Sequence, residues 1–312
     1  MKTDVRKSFL GGIALAGLTL AGCGGAEESA PGVVSDESEP VGDLLAAAID
    51  SPMRSEAERS RDKWRHPYET LGFFGVEPEM TVVEIWPGGG WYTGILGPYL
   101  KSGGGTLILA SVDPETSDYT RANHARLTAL TDDAARFGRV EFAIFAPGKE
   151  PSSTLAPGAA DAVVTFRNLH NWLGGDAAED AFATMFAALK PGGVLGFVEH
   201  RADPTAEDGK SHGGYVTERT AIDLAEKAGF VLEARSDINA NSADDRDHPF
   251  GVWTLPPVSR TAPAPGLPAE VDAEEYLAIG ESDRMTLRFR KPGGAEPDEQ
   301  SDGATEMATG EE

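Results

Sequence analysis

Thr81-Val82-Val83-Glu84-Ile85-Trp86-Pro87-Gly88-Gly89-Gly90-Trp91-Tyr92-Thr93-Gly94-Ile95-Leu96 is the stretch whose reading decides the fold. A short apolar run rich in β-branched residues reaches an acid, passes through three consecutive glycines, and becomes helix-compatible from Trp91 to Leu100. The spacing predicts a strand, a tight turn and a helix. Glycine serves where backbone approaches a ligand or takes positive φ, and the helix start beyond it offers unpaired N–H groups to a polar or anionic group. Glu84 then sits at the mouth of that crevice, where a carboxylate accepts hydrogen bonds from ribose hydroxyls or from the amides of the turn. A glycine turn that only reverses the chain is the plainer alternative.

Two nucleotide fingerprints fail here. Counting Gly-x-Gly-x-x-Gly from Gly88 puts Thr93 at the third glycine, and Gly209-Lys210-Ser211 lacks the upstream glycine of a P-loop. Neither NAD nor ATP is favoured. The stretch resembles motif I of the class I S-adenosylmethionine-dependent methyltransferases, with Glu84 at the acidic position, Gly88 and Gly90 at the second and third glycines, and Trp86 where the first glycine usually stands. With Trp64-Arg65-His66-Pro67-Tyr68-Glu69-Thr70-Leu71 upstream, Glu-Ile-Trp-Pro-Gly-Gly-Gly-Trp-Tyr also resembles a narrower group of exported bacterial proteins known as predicted methyltransferases. The resemblance implies a Rossmann-like α/β fold: a seven-stranded, mostly parallel sheet with helices on both faces. It also implies S-adenosylmethionine as cofactor; the residues expected to hold it are Glu84, Gly88, Gly90 and Asp113 of the family pattern, with Gly89 of the same turn and Asn168 beyond the fourth strand.

The 312 residues, 40% of them hydrophobic, are enough for one large α/β domain with tails. A formal net charge of −24 argues against nucleic acid or an anionic membrane surface as partner, because phosphate binding needs clustered Lys and Arg. A small-molecule substrate is the expected partner. Lys2, Arg6 and Lys7, an apolar segment from Phe9 to Ala21, and small residues after it read as a secretory signal over 1–22, too short to span a bilayer. Leu20-Ala21-Gly22-Cys23 resembles a bacterial lipobox, which implies lipid attachment at Cys23, membrane contact through that anchor only, and the periplasmic face of the outer membrane in a Gram-negative host. Cys23 is the sole cysteine, so the folded domain has no disulfide or cysteine nucleophile.

Residues 23–40 read as a flexible tether and 41–74 as a helical, lid-like segment. The aromatic and charged run from Arg61 to Phe74 either folds over a cofactor cleft or packs on the domain edge with its charges in water. The methyltransferase-like domain spans 75–291, with a Pro-rich insertion at about 240–282, and an acidic tail, expected to be disordered, runs over 292–312. Asp113, just past the second strand at Thr106 to Val112, either receives ribose hydroxyls or starts an Asp-Pro turn. After the third strand, Ala146-Pro147-Gly148 stands where many relatives carry an acid.

Asp161 to Phe166 reads as the fourth strand and runs into Arg167-Asn168-Leu169-His170-Asn171-Trp172. Ligands collect beyond the carboxyl ends of central strands in an open parallel sheet, so this polar cluster falls where chemistry would happen, unless it is a structural loop. Lys190-Pro191-Gly192-Gly193 is predicted to end a helix, with a fifth strand over Val194 to Val198 and Glu199-His200-Arg201 at its end. The candidate catalytic residues are His170, Glu199, His200 and Tyr215, of which an imidazole beside a carboxylate makes a base; a surface ion-pair cluster is the competing reading of Glu199-His200-Arg201. The six histidines show no paired metal-ligand spacing, so no metal site is expected. Methyl transfer from S-adenosylmethionine to a small molecule is the leading function, and a non-catalytic or repurposed envelope lipoprotein acting in binding or assembly is the alternative.

Overall fold

The computed structural model describes residues 43–149 and 153–293. The signal segment, Cys23, the tether and the tail from residue 294 lie outside the described residues. Among the described residues no helix is long and apolar enough to cross a membrane. In chain order the elements are α1 (Asp43–Ile49), α2 (Glu56–Arg59), α3 (Asp62–Arg65), α4 (Pro67–Phe74), β1 (Thr81–Ile85), α5 (Thr93–Gly103), β2 (Thr106–Ser111), α6 (Asp118–Thr131), α7 (Ala134–Phe137) and β3 (Arg139–Ile144). They continue with β4 (Ala160–Phe166), α8 (Leu169–Gly174), α9 (Ala178–Ala188), β5 (Leu189–His200), α10 (Glu218–Lys227), β6 (Val231–Ser236), α11 (Ala273–Leu277) and β7 (Arg284–Arg290).

The seven strands form one sheet in the order β3-β2-β1-β4-β5-β7-β6. β1 is parallel to β2 and β4, β2 to β3 and β4 to β5, while β7 runs antiparallel to both its neighbours. The predicted mostly parallel, seven-stranded Rossmann-like sheet is therefore present. Alternate side chains feed opposite layers, as a strand's period of two requires. Val83, Ile85, Ile108 and Val163 pack under α8 and α9 with Phe182 and Met185, whereas Val82, Leu107, Leu109 and Val164 pack under α1, α4 and α5 with Leu71, Phe74 and Ile95. Both faces are covered, which explains why β1, β2 and β4 read as continuous apolar runs.

Two local predictions are corrected. The pattern of residues 117–137 predicts one helix, but the chain forms two, α6 and α7, because Asp133 accepts a hydrogen bond from the Ala135 amide and starts a new turn. The fifth strand begins at Leu189, five residues earlier than its apolar run suggests. Ala160 pairs with Leu189 and Ala162 with Val194, so Lys190-Pro191-Gly192-Gly193 is a bulge within the edge of the ladder rather than a loop before it.

The strand order reverses between β2-β1 and β4, which leaves a crevice beyond the carboxyl ends of β1 and β4. The segment before β1 closes one side of it. Buried Arg54 donates to Asp62 at 2.6 Å and to the Ile49 carbonyl at 2.7 Å, and the Trp91 indole donates to the Glu58 carbonyl at 3.0 Å. Trp64 lies against Gly280, where even a Cβ would come within 2.2 Å of the indole. Its aromatics thus pack on the domain, but Arg61 and Arg65 face the crevice instead of water.

Candidate active site

β1 ends at Ile85 and the chain turns sharply. Trp86 takes φ 46°, Gly88 57° and Gly90 82°, three left-handed residues in five. Trp86 therefore adopts the conformation that glycine favours, at a cost of order 1–3 kcal/mol. Its side chain offsets that cost: the indole donates to the Phe145 carbonyl at 2.9 Å and packs edge-on to Phe145 and Trp172. Gly90 is needed for packing, since a Cβ there would stand 2.6 Å from Leu130 Cδ2. Gly88 and Gly89 are different. A Cβ on either would meet no atom within 4 Å, because both face open space.

That space comprises three neighbouring cavities. The largest, about 420 Å³, is walled by Glu84, Gly88, Gly89, Arg61, Arg65 and Arg167. A second, about 330 Å³, shares Trp86, Gly88 and Asn168 with it and adds Ser111, Asn123 and Asn171. A third, about 170 Å³, shares Arg167, Pro257 and Val258 with the first and adds His170 and His200. The first two fall within the range of small-molecule sites.

Of the residues predicted to hold a cofactor, Glu84, Gly88, Gly89 and Asn168 line this space, and Gly90 shapes the turn behind it. The Asn168 amide donates to the Ile85 carbonyl and to Thr165 Oγ1, both at 3.0 Å, which ties the end of β4 to the end of β1. Asp113 lines none of the three cavities. Its carboxylate accepts from the Glu115 amide at 2.9 Å and starts a short 3₁₀ turn, as the Asp-Pro pair allows. Ser111, at the end of β2, lines the second cavity with a buried hydroxyl that has no hydrogen-bond partner among the described residues. A ligand hydroxyl or ring nitrogen would satisfy it.

His170 on α8 comes together with Glu199 and His200 at the end of β5, although α9 lies between them in sequence. Glu199 is fully buried at the end of β5. It accepts from the His170 amide at 3.2 Å, from His170 Nδ1 at 3.0 Å and from the His200 amide at 2.9 Å. A carboxylate that receives Nδ1–H leaves the lone pair on Nε2, so Glu199 positions His170 as a proton acceptor. His200 is held differently. Its Nδ1 is 2.5 Å from Ser282 Oγ, and burial, followed by the charges of Arg167, His170 and Arg284, pushes its pKa well below the ordinary imidazole range. It is neutral at pH 7. Tyr215 donates to both oxygens of Asp244 at 3.0 Å and lines none of the three cavities. Burial, then Asp244, raises its pKa, so its hydroxyl stays protonated and structural.

In sequence the chain matches no family model and no curated protein. Its structure is similar to solved ones. The [4+2]-cyclase SpnF superposes with a TM-score of 0.50 at 14% identity, over 76% of this chain and 82% of that one. A SAM-dependent methyltransferase from Aquifex aeolicus gives 0.46 at 14% identity, over 79% and 98% of the two chains. A putative sarcosine dimethylglycine methyltransferase from Galdieria sulphuraria gives 0.47 at 12% identity, over 78% and 90%. The architecture is that of the class I methyltransferase fold. At these identities the likeness is one of fold, and the chemistry of the crevice is set by its own residues.

Glu84 yields a measurable consequence. It is buried beside α5 and accepts from Thr93 Oγ1 at 2.6 Å; burial outweighs that bond and raises its pKa from 4.5 to about 7. The unfolded chain releases this proton near pH 4.5 and the folded chain only near 7, so the contribution of Glu84 to stability falls as pH rises between those values and levels off above. The expected loss from pH 5 to pH 8 is about 3 kcal/mol. Glu84→Gln removes the titration, so urea unfolding at the two pH values should show a fall in the wild type that is smaller in the variant by about that amount. Equal pH dependence in the two proteins would contradict a protonated Glu84.

Proposed function

We propose that the protein transfers a methyl group from S-adenosylmethionine to a small molecule. The observation that carries this reading is the open cradle at Gly88 and Gly89, which shares Gly88 with a second cavity whose wall holds the Ser111 hydroxyl, unpartnered among the described residues. Gly88, Gly89, Ser111, Asn123 and Asn168 would hold the cofactor, with Asn168 fixing the position of β4 against β1. When bound, the cofactor supplies an electrophilic sulfonium methyl. The chain's own contribution is alignment in a dry pocket and removal of a proton from the acceptor. His170, with Nδ1 directed at Glu199, is the base, and neutral His200 beside it lines the same small cavity.

The exported, lipid-anchored setting of this activity is part of the proposal and rests on the basic and apolar start and on Leu20-Ala21-Gly22-Cys23. A second reading, a repurposed fold that binds without transferring methyl, is favoured by one observation: Trp86 stands at the junction of the two larger cavities, in the position of a glycine. Calorimetry with S-adenosylmethionine and S-adenosylhomocysteine separates them. Binding at a roughly micromolar dissociation constant is expected, and no heat at millimolar ligand would remove the methyl-transfer reading.

A further inference from the structure

The chain carries a net charge of −24, yet the wall of its crevice is basic. Four guanidiniums surround one buried carboxylate. Arg61 Nε lies 2.7 Å, Arg65 Nε 3.0 Å and Arg284 Nη1 3.1 Å from Glu281, with Arg167 Nη1 at 3.9 Å. Four positive charges against one negative leave an excess of three.

The other carboxylates near the crevice do not balance it. Glu58 is engaged with Ser55 at the start of α2, Glu84 is bonded to Thr93 and protonated up to about pH 7, and Glu199 is engaged with His170. Arg65 is only 2% exposed, lies over the Trp91 ring, and lines the largest cavity with its Nη2 lacking a hydrogen-bond partner among the described residues. Arg167 holds a left-handed φ of 64° at the end of β4 and lines both the largest and the smallest cavity. Buried guanidinium N–H groups without acceptors are costly, and a planar carboxylate or a phosphate is the group whose oxygens match them.

We propose that the molecule acted on here carries an oxyanion, a carboxylate or a phosphate group, which seats between Arg65 and Arg167 and leaves the rest of the molecule directed at His170. That this molecule is a methyl acceptor rests on the methyl-transfer reading, whereas the anion seat does not. The cofactor itself is no substitute for this anion. Its amino-acid end pairs one carboxylate with its own ammonium, and its sulfonium adds a further positive charge beside the excess. A cation held by His170, Glu199 and His200, whose ligand atoms lie within 4.8 Å of one another, would face the same arginines. An anionic acceptor relieves the repulsion and makes binding of cofactor and acceptor mutually favourable.

The test is thermal unfolding of the full chain at pH 7 and constant ionic strength, with sodium chloride replaced stepwise by inorganic phosphate or by malonate. Ligands that bind only the folded state raise the midpoint in a saturable way. One of the two anions is expected to raise it by several degrees above matched chloride, and which one does so distinguishes phosphate from carboxylate. Arg167→Asn, which places a residue tolerant of positive φ at that position, should weaken the apparent affinity at least about tenfold. Arg139→Gln, an exposed arginine on β3, should leave it unchanged. Stabilisation no greater than that of chloride with both anions overturns the proposal whatever the variants do, and so does an Arg167→Asn protein that binds like the wild type. Neither arm contains cofactor, so a failure of S-adenosylhomocysteine to bind is read separately.

Discussion

Gly89→Leu is expected to weaken S-adenosylhomocysteine binding at least about a hundredfold, about 2.8 kcal/mol, while the protein stays folded. The position suits the test because its φ is outside the left-handed region and its missing Cβ faces empty space. A Cβ there meets no protein atom within 4 Å, and replacing glycine restricts the unfolded chain, so the thermal midpoint should hold or rise slightly. The added isobutyl group occupies instead the wall of the largest cavity, where a ligand lying along the turn would run. Gly88, at φ 57°, would confound the result with backbone strain, and at Gly90 the clash with Leu130 would confound it with packing. Calorimetry beside a melting curve reads both quantities. A loss of affinity below fivefold with the fold intact would mean that the nucleoside does not lie on this turn.

Glu281→Gln should produce the largest loss of stability. The carboxylate is 2% exposed; burial alone would raise its pKa, but Arg65, Arg284, Arg167 and Arg61 outweigh burial and bring it from 4.5 to about 2. A lowered acid pKa contributes stability that is present above pH 4.5 and lost as pH falls through 2, so the contribution is complete at pH 7. Removing one partner from a buried ionic cluster costs about 3–5 kcal/mol, because the remaining charges stay desolvated without their counterion. In a domain of this size that corresponds to roughly 6–20 °C in the melting midpoint. Arg61, the most exposed arginine bonded to Glu281, supplies the control. Glu281→Gln combined with Arg61→Gln should lose less than the sum of the two single changes, since the second substitution removes part of the unbalanced charge. A Glu281→Gln protein within about 1 kcal/mol of the wild type, little more than an ordinary surface change costs, would show that solvent already neutralises the cluster.

Much of the architecture was legible along the chain because its signals are local. The β-branched runs of β1, β2 and β4, the glycine turn after Ile85 and the 3.6-residue pattern of α9 each act within a few residues, and the observed elements follow them. Glu84, Gly88, Gly89 and Asn168 were found because a strand's end and a glycine turn mark where a crevice opens. His170 and Glu199 were candidates for the same reason, but only folding shows that Glu199 orients His170 rather than pairing with a surface charge. Asp113 and Ser111 mark the limit of that reasoning. Both close the second strand, and which of them faces the cavity depends on the pleat and on the Asp-Pro turn.

Trp86 could be read as a departure from a glycine pattern, yet its positive φ and the partners that compensate for it, Phe145 and Trp172, come from β3's end and from α8. The basic wall was invisible in sequence altogether. Arg61 and Arg65 lie 220 and 216 residues from Glu281, and no spacing rule joins such positions. The sequence by itself determined the strands, the turn and the helices, because backbone propensity and side-chain periodicity operate over a few residues. The tertiary structure alone decided the charge of the crevice, because the sheet order carries the segment before β1, the end of β4 and the residues preceding β7 to one place, and Coulomb interactions depend on distance in space.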